Sequence, residues 1–402
     1  MKTRVFFPMA ILAAALCLAA GCIAPTSRLH YDPAGQDAVK IAVILPLSGP
    51  NQAYGRRILD GVALAADELN NGPGIDGRTV ELLTYDTQSN PDTAVERVRE
   101  AVRDGAVAAV AGYNSTELDA MDGVLRRRRL PAITPMATID GLTEQNPFLF
   151  RSSFTDSQQG HALAAYAWYW RKLLRLGVIM NMEPDDEYSR SVARETAQAF
   201  KDLGGTVVRT VEFSGESRDL VPTLRSLLTA GPQAIVVPTE TAMAAAIVKE
   251  LRALGYQGLL LGPDSWDEES FMRNCGDRPG DCAYIAFYNE KNKTREYRLF
   301  HDSFREKYSH EPGSCEAQGY DSLKLLAIGL GNARSIEEFT RNLLTVRGYP
   351  GAAASYTFLP PAAELDRTMY INTIRPAGRN NPLPHGTNSR SFPYSKLATY
   401  NN

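Results

Sequence analysis

Gly72-Pro73-Gly74-Ile75-Asp76-Gly77 carries the G-x-G-x-x-G spacing of a loop that cradles a pyrophosphate. That chemistry requires a strand before the loop and a helix after it. Here a helical pattern precedes the glycines and a strand pattern follows them, with a proline inside, so the motif reads as a helix stop and a turn. The chain contains no G-x-x-x-x-G-K-[ST], no H-E-x-x-H and no G-x-S-x-G. His30, His161, His301, His310 and His385 are scattered without the spacing of metal ligands. Asp185-Asp186-Glu187 lacks the alternation of a calcium loop. Arg126 to Arg129 form a basic run that reads as a solvated helix end favoured by the helix dipole. With no nucleophile–base set and no ligand cluster, the residues point to binding rather than catalysis, with neither metal nor cofactor expected.

The cysteines divide by position. Lys2 and Arg4 precede an uncharged apolar run that ends at Ala19-Ala20-Gly21-Cys22. The run is too short to span a bilayer, which takes about 20 apolar residues, and suits a secretory signal. The small residues before Cys22 resemble a lipobox, so residues 1–21 are expected to be a lipoprotein signal peptide and Cys22 the lipidated N-terminus. Residues 22–37 read as a tether. Cys275 and Cys282 flank the turn-rich Gly276-Asp277-Arg278-Pro279-Gly280-Asp281, and an exported chain tolerates disulfides, so these two are expected to be bonded. Cys315 is left as a buried small hydrophobe.

The elements that must position any site follow one grammar. The chain has 402 residues, 43 Lys and Arg against 46 Asp and Glu, and a net charge of −3, which argues against a nucleic-acid partner. Strands are expected at 40–46, 79–86, 107–112 and 131–134, with helices at 54–70, 92–104 and 115–127 between them. The pattern restarts after 148–156: helices at 157–174, 189–203, 219–229 and 241–254 alternate with strands at 176–181, 206–213, 234–238, 258–262 and 283–288. Helices at 295–308, 316–329 and 335–344 and strands at 355–358 and 369–374 close the pattern. Such alternation implies parallel sheets covered on both faces. The expected fold class is α/β: two doubly wound lobes with a cleft beyond their strand ends, closing by a hinge. Residues 376–402 are rich in Pro, Asn and Ser and read as a disordered tail.

Leu45-Pro46-Leu47-Ser48-Gly49-Pro50 with Tyr54-Gly55 begins a series of family matches. It continues through Gly61 with Ala65, Gly74-Ile75-Asp76-Gly77, Tyr85-Asp86, Ile133-Thr134-Pro135-Met136-Ala137-Thr138, Phe150-Arg151, Asp156 with Gly160, Gly262-Pro263 and Tyr320-Asp321. In this order and spacing the chain resembles the type I periplasmic solute-binding proteins, with the leucine/isoleucine/valine-binding protein as type case, over roughly residues 39–375. The resemblance implies two lobes joined by a multi-strand hinge: 38–152 with 289–353, and 153–288 with 354–375. It also implies an amino-acid ligand, and delivery to an ABC permease and two ATPases. The protein would sit in the bacterial cell envelope, lipid-anchored and facing the periplasm or the cell exterior.

The resemblance assigns roles residue by residue. Ser115, or Thr116 by a shift of one residue, would receive the ligand carboxylate at a helix start, where free N–H groups and the dipole favour an anion. Met136 and Thr138 match residues that touch the amino-acid backbone. Tyr54 and Tyr188 match aromatics that line the cleft. Asp264 stands where the family has a Glu that pairs with the ligand ammonium. Glu240 replaces a Tyr, and Cys315 replaces a Phe of the side-chain pocket, so the ligand need not be branched-chain. A second reading is open: the fold also occurs in envelope lipoproteins that activate cell-wall synthases or act as sensors through protein interaction.

Overall fold

The computed structural model describes residues 38–184, 186–214, 220–276, 279–289, 294–360, 364–374 and 390–393. The expectations for the signal, Cys22 and the tether lie outside these residues.

The first lobe is laid down by β1 (Ala38–Leu45), α1 (Gln52–Asn70), β2 (Thr79–Asp86), α2 (Pro91–Arg103), β3 (Ala108–Ala111), α3 (Ser115–Arg128), β4 (Ala132–Thr134), α4 (Leu142–Gln145) and β5 (Leu149–Arg151). The second is built by α5 (Asp156–Ala165), β6 (Arg175–Asn181), α6 (Glu187–Asp202), β7 (Thr206–Phe213), α7 (Val221–Thr229), β8 (Ala234–Val236), α8 (Thr241–Ala253), β9 (Leu259–Gly262), α9 (Glu269–Cys275) and β10 (Cys282–Ala286). The chain then adds α10 (Arg295–Tyr308), α11 (Ser314–Leu330), α12 (Ile336–Leu343), β11 (Tyr349–Pro350), β12 (Ser355–Leu359), β13 (Glu364–Ile374) and β14 (Arg390–Pro393).

Among the described residues, one sheet runs β2-β1-β3-β4-β5, parallel throughout. The other runs β11-β12-β13-β10-β9-β8-β6-β7. Its β7, β6, β8, β9 and β10 are parallel, while β13 enters antiparallel to β10 and to β12. The continuous apolar run of β1 is buried on both faces, as a central parallel strand requires. One face of the first sheet packs on α1, α10, α11 and α12, the other on α2 and α3. The second sheet lies between α5 and α6 on one side and α7, α8 and α9 on the other. The fold is therefore the expected pair of α/β lobes.

Helices α1 and α11 meet closely, because a Cβ at Gly61 would lie 1.9 Å from the Glu316 carbonyl oxygen and one at Gly319 2.2 Å from that of Ile58. Only glycine permits that approach, and it sets Arg57 of α1 against Glu316 of α11.

The chain passes between the two cores after β5, after β10 and within β13, whose Leu365 lies in the first core and Met369 in the second. Arg367, at 1% exposure, ties the three crossings together. It donates to the carbonyls of Ser152 and Phe287, each at 2.8 Å, and to Gln318 Oε1 at 2.9 Å. The rings of Phe154, Phe287 and Tyr356 surround its guanidinium at 5.3–5.4 Å. Asp321 braces the same region, accepting from Tyr356 Oη at 2.7 Å and from the backbone N–H groups of Ala352 and Ala353.

Two expectations need correction. Cys275 and Cys282 are free, buried thiols rather than a disulfide. Cys275 closes α9 and Cys282 opens β10, both inside the apolar layer of the second lobe. The Cys282 thiol donates instead to the Pro279 carbonyl at 3.2 Å. Burial pushes both thiols up to about 12, which keeps them protonated and unreactive. The tail is not wholly without structure, since Arg390–Pro393 pairs antiparallel with Thr368–Ile371 of β13. Strand β12 covers only Glu364–Arg367, and β14 takes up backbone groups of β13 beyond its reach.

Candidate functional site

A cavity of about 300 Å³ opens between the lobes, large enough for a small ligand. Every residue expected at the site except Cys315 lines it: Tyr54, Ser115, Thr116, Met136, Thr138, Tyr188, Glu240 and Asp264.

The first-lobe wall begins at the C-terminal end of β3. Tyr113 and Asn114 leave the strand, and Asn114 caps α3 by accepting the Glu117 N–H at 2.8 Å. Ser115 and Thr116 are then the first two helical residues, and their N–H groups have no partner within the helix. Ser115 Oγ accepts the Ile139 N–H at 3.2 Å, which fixes the helix start against the loop after β4. That loop supplies Met136, packed against the cores of both lobes, and Thr138. Thr138 is nearly inaccessible, and its carbonyl accepts the Asp156 N–H at 2.9 Å. Tyr54 of α1 stacks on Tyr113 with centroids 4.7 Å apart.

The second-lobe wall is acidic. Asp264 follows β9, where Gly262 and Pro263 end the strand. The Tyr188 hydroxyl donates to its Oδ1 at 2.7 Å, and its N–H donates to Gln159 Oε1 at 2.9 Å. Glu240 occupies the cap position of α8 without capping it. Asp186 does cap α6, accepting from Ser189 and Asn181. Glu268 pairs with Arg57 at 2.8 Å, a contact between the lobes.

Cys315 requires correction. It is fully buried in the first-lobe core, and Glu268, whose Oε1 accepts from its thiol at 3.7 Å, lines the cavity in its place. The sequence reading also missed Tyr113, Asn114, Asn181, Glu183, Asp186, Thr241, Ser265 and Glu268. Adjacency gave a signal for some of them: Tyr113 and Asn114 precede Ser115, and Ser265 follows Asp264. Glu268 carried none, because its place is set by Arg57 on a distant helix.

Desolvation between the lobes pushes the Asp264 carboxyl up to about 6, against the lowering effect of Tyr188 and Gln159. Glu240 rises to about 7 from its place among protein walls and from the charges of Asp186 and Asp264, although its side chain meets cleft water. Asp156, fully buried behind Thr138 with Oδ2 unpartnered, rises to about 8, mainly by desolvation. Each group holds its proton more tightly folded than unfolded, where carboxyls titrate near 4. The folded state thus binds more protons over this window, and the stability of the ligand-free protein falls as pH rises from about 5 to about 8. Asp86 and Glu187 are shifted the other way and act only at lower pH. Calorimetric Tm of the ligand-free protein should be higher at pH 5.5 than at pH 8; a Tm that climbs across that range contradicts the assignment.

A family model described as periplasmic binding protein matches residues 38–379. The leucine-, isoleucine-, valine-, threonine- and alanine-binding protein of Pseudomonas aeruginosa is 22% identical over 299 residues, covering 74% of this chain and 79% of the relative. The Leu/Ile/Val/Thr-binding protein of Salmonella typhimurium is 24% identical over 327 residues, covering 81% and 88%. Among solved structures, the branched-chain amino acid substrate-binding protein LivJ of Streptococcus pneumoniae in complex with isoleucine superposes with a TM-score of 0.76 at 25% identity, covering 88% of this chain and 99% of that one. The leucine-binding protein LivK of Thermotoga maritima superposes with 0.75 at 26% identity, covering 84% and 95%.

Proposed function

The chain belongs to the periplasmic binding protein family, whose members are solute receptors and not enzymes, and from that premise we propose that it binds an α-amino acid between its lobes for an ABC importer. The observation that carries this reading is the polarity of the cavity. One wall presents the start of α3 at Ser115 and Thr116, and the other presents the Asp264 carboxylate. A carboxylate is favoured at the first and an ammonium at the second. Relatives named for branched-chain amino acids and transport support the ligand class and the permease and ATPase partners. An envelope lipoprotein acting by protein interaction alone would have no need of such a two-ended cavity.

A panel of the common amino acids, each added in excess, tests the reading by thermal shift. A ligand at about 100 times its Kd stabilises the folded state by about 2.7 kcal/mol. At least one amino acid should raise Tm by several degrees, and a flat panel overturns the proposal.

The lipobox-like Ala20-Gly21-Cys22 supports a lipid anchor in the cell envelope. The wild-type protein should sediment with membranes and the Cys22→Ala variant should appear soluble or unprocessed. A mature N-terminus at another residue, bearing no lipid, contradicts this assignment.

A further inference from the structure

Five carboxylates line the cavity: Glu183, Asp186, Glu240, Asp264 and Glu268. No Lys, Arg or His does among the described residues. Their partners differ. Asp186 is held by Ser189 and Asn181 at the start of α6. Glu268 pairs with Arg57, which also carries both oxygens of Glu316, so the trio keeps one negative charge. Asp264, oriented by Tyr188, is the group assigned to the α-ammonium. Glu183 is engaged by a partner of its own, and Glu240 remains: its side chain neither caps its helix nor makes any hydrogen bond or ion pair among the described residues, and it faces the cavity.

The wall beside it offers little to an aliphatic side chain. The Cys315 thiol lies behind the Arg57–Glu268–Glu316 network, and a branched hydrocarbon seated there would take the excess negative charge of that network out of water without compensating it. The stacked Tyr54 and Tyr113 add π faces that attract a cation.

We propose that the ligand carries a second positive charge, and that Glu240 receives it, so that the site takes a basic α-amino acid of the lysine class. This deepens the amino-acid reading and rests on it. The α-carboxylate meets the start of α3, the α-ammonium meets Asp264, and the side-chain cation meets Glu240. Glu240 thereby discriminates by charge, because a neutral side chain leaves its carboxylate unpaired in a closed cleft.

Titration calorimetry with L-lysine, L-norleucine, L-leucine and cadaverine tests the assignment. Norleucine keeps the carbon chain of lysine and lacks only the distal ammonium. Lysine should bind at least about thirtyfold more tightly than norleucine, the scale of one desolvated charge pair. Glu240→Gln should weaken lysine binding about tenfold or more and leave norleucine within about twofold, with Tm confirming that the variant folds. Norleucine or leucine binding as tightly as lysine overturns the proposal, as does a Glu240→Gln variant with an unchanged lysine-to-norleucine ratio. Neutral amino acids that bind through Asp264 without a preference for lysine uphold the amino-acid reading and refute this one. Cadaverine binding where no amino acid binds refutes the amino-acid reading and overturns this proposal with it. Binding of neither lysine nor cadaverine overturns the proposal outright.

Discussion

Asp264→Ala should abolish the amino-acid-induced thermal shift and weaken affinity by roughly thirtyfold to several thousandfold, or about 2–5 kcal/mol. The size of the effect follows from where the carboxylate sits. Closure removes water from the ammonium, and a buried charge without its partner costs more than the pair was worth. Tyr188 holds the carboxylate at 2.7 Å, so the truncation also leaves its hydroxyl without an acceptor, while the bond from the residue 264 N–H to Gln159 survives. Tyr188→Phe removes the orienting bond and keeps the charge, and should cost about tenfold. Equal affinity for the tightest panel ligand in wild type and Asp264→Ala refutes the assignment. Like Glu240, Asp264 titrates at a raised pH, at about 6. A bound ammonium favours its ionised form, so binding releases protons and affinity should rise with pH through that range.

Arg367→Met should be the most damaging substitution away from the cleft. The guanidinium, on the third crossing strand, satisfies the Ser152 and Phe287 carbonyls at the other two and Gln318 Oε1 of α11. A methionine fills much of the volume among Phe154, Phe287 and Tyr356 but donates nothing. The Ser152 and Phe287 carbonyls then lose this donor, each loss costing about 1–3 kcal/mol, while Gln318 Oε1 keeps the Tyr356 hydroxyl at 3.1 Å. A total of about 3–5 kcal/mol corresponds to a fall in Tm of roughly 6–20 °C for lobes of this size. Arg367→Lys, which reaches fewer acceptors, should lie between. A methionine variant melting within about 2 °C of wild type would show that the guanidinium does not hold the hinge.

Much of this architecture was legible because the strands are buried on both faces and the helices are amphipathic. The bounds at Thr79–Asp86, Thr206–Phe213 and Arg295–Tyr308 coincide with the expected ones. Strand β5 escaped notice because its apolar Leu149-Phe150 runs into the charged Arg151, which is buried by donating to the Thr138 and Ile139 carbonyls. Helix α5 ends earlier than its apolar pattern suggests, passing into a single π turn at Tyr166–Trp170 where aromatic side chains keep the hydrophobicity high. The site was legible where a residue follows a strand directly, as Ser115 and Asp264 do. It was illegible where tertiary packing decides. Cys315 lies two residues into α11, yet the close approach of α1 brings Arg57 and Glu268 over it and withdraws it from the cavity. The free cysteines make the same point, for Cys275 and Cys282 are near in sequence but each is absorbed by the apolar layer around α9 and β10.

A crystal structure of the mature protein grown with the panel's tightest amino acid tests the central claim most directly. The ligand carboxylate should lie within hydrogen-bonding distance of the Ser115 and Thr116 N–H groups, and its α-ammonium should contact the Asp264 carboxylate. A ligand bound outside the cleft, or seated in it with its ammonium turned away from Asp264, would contradict the account.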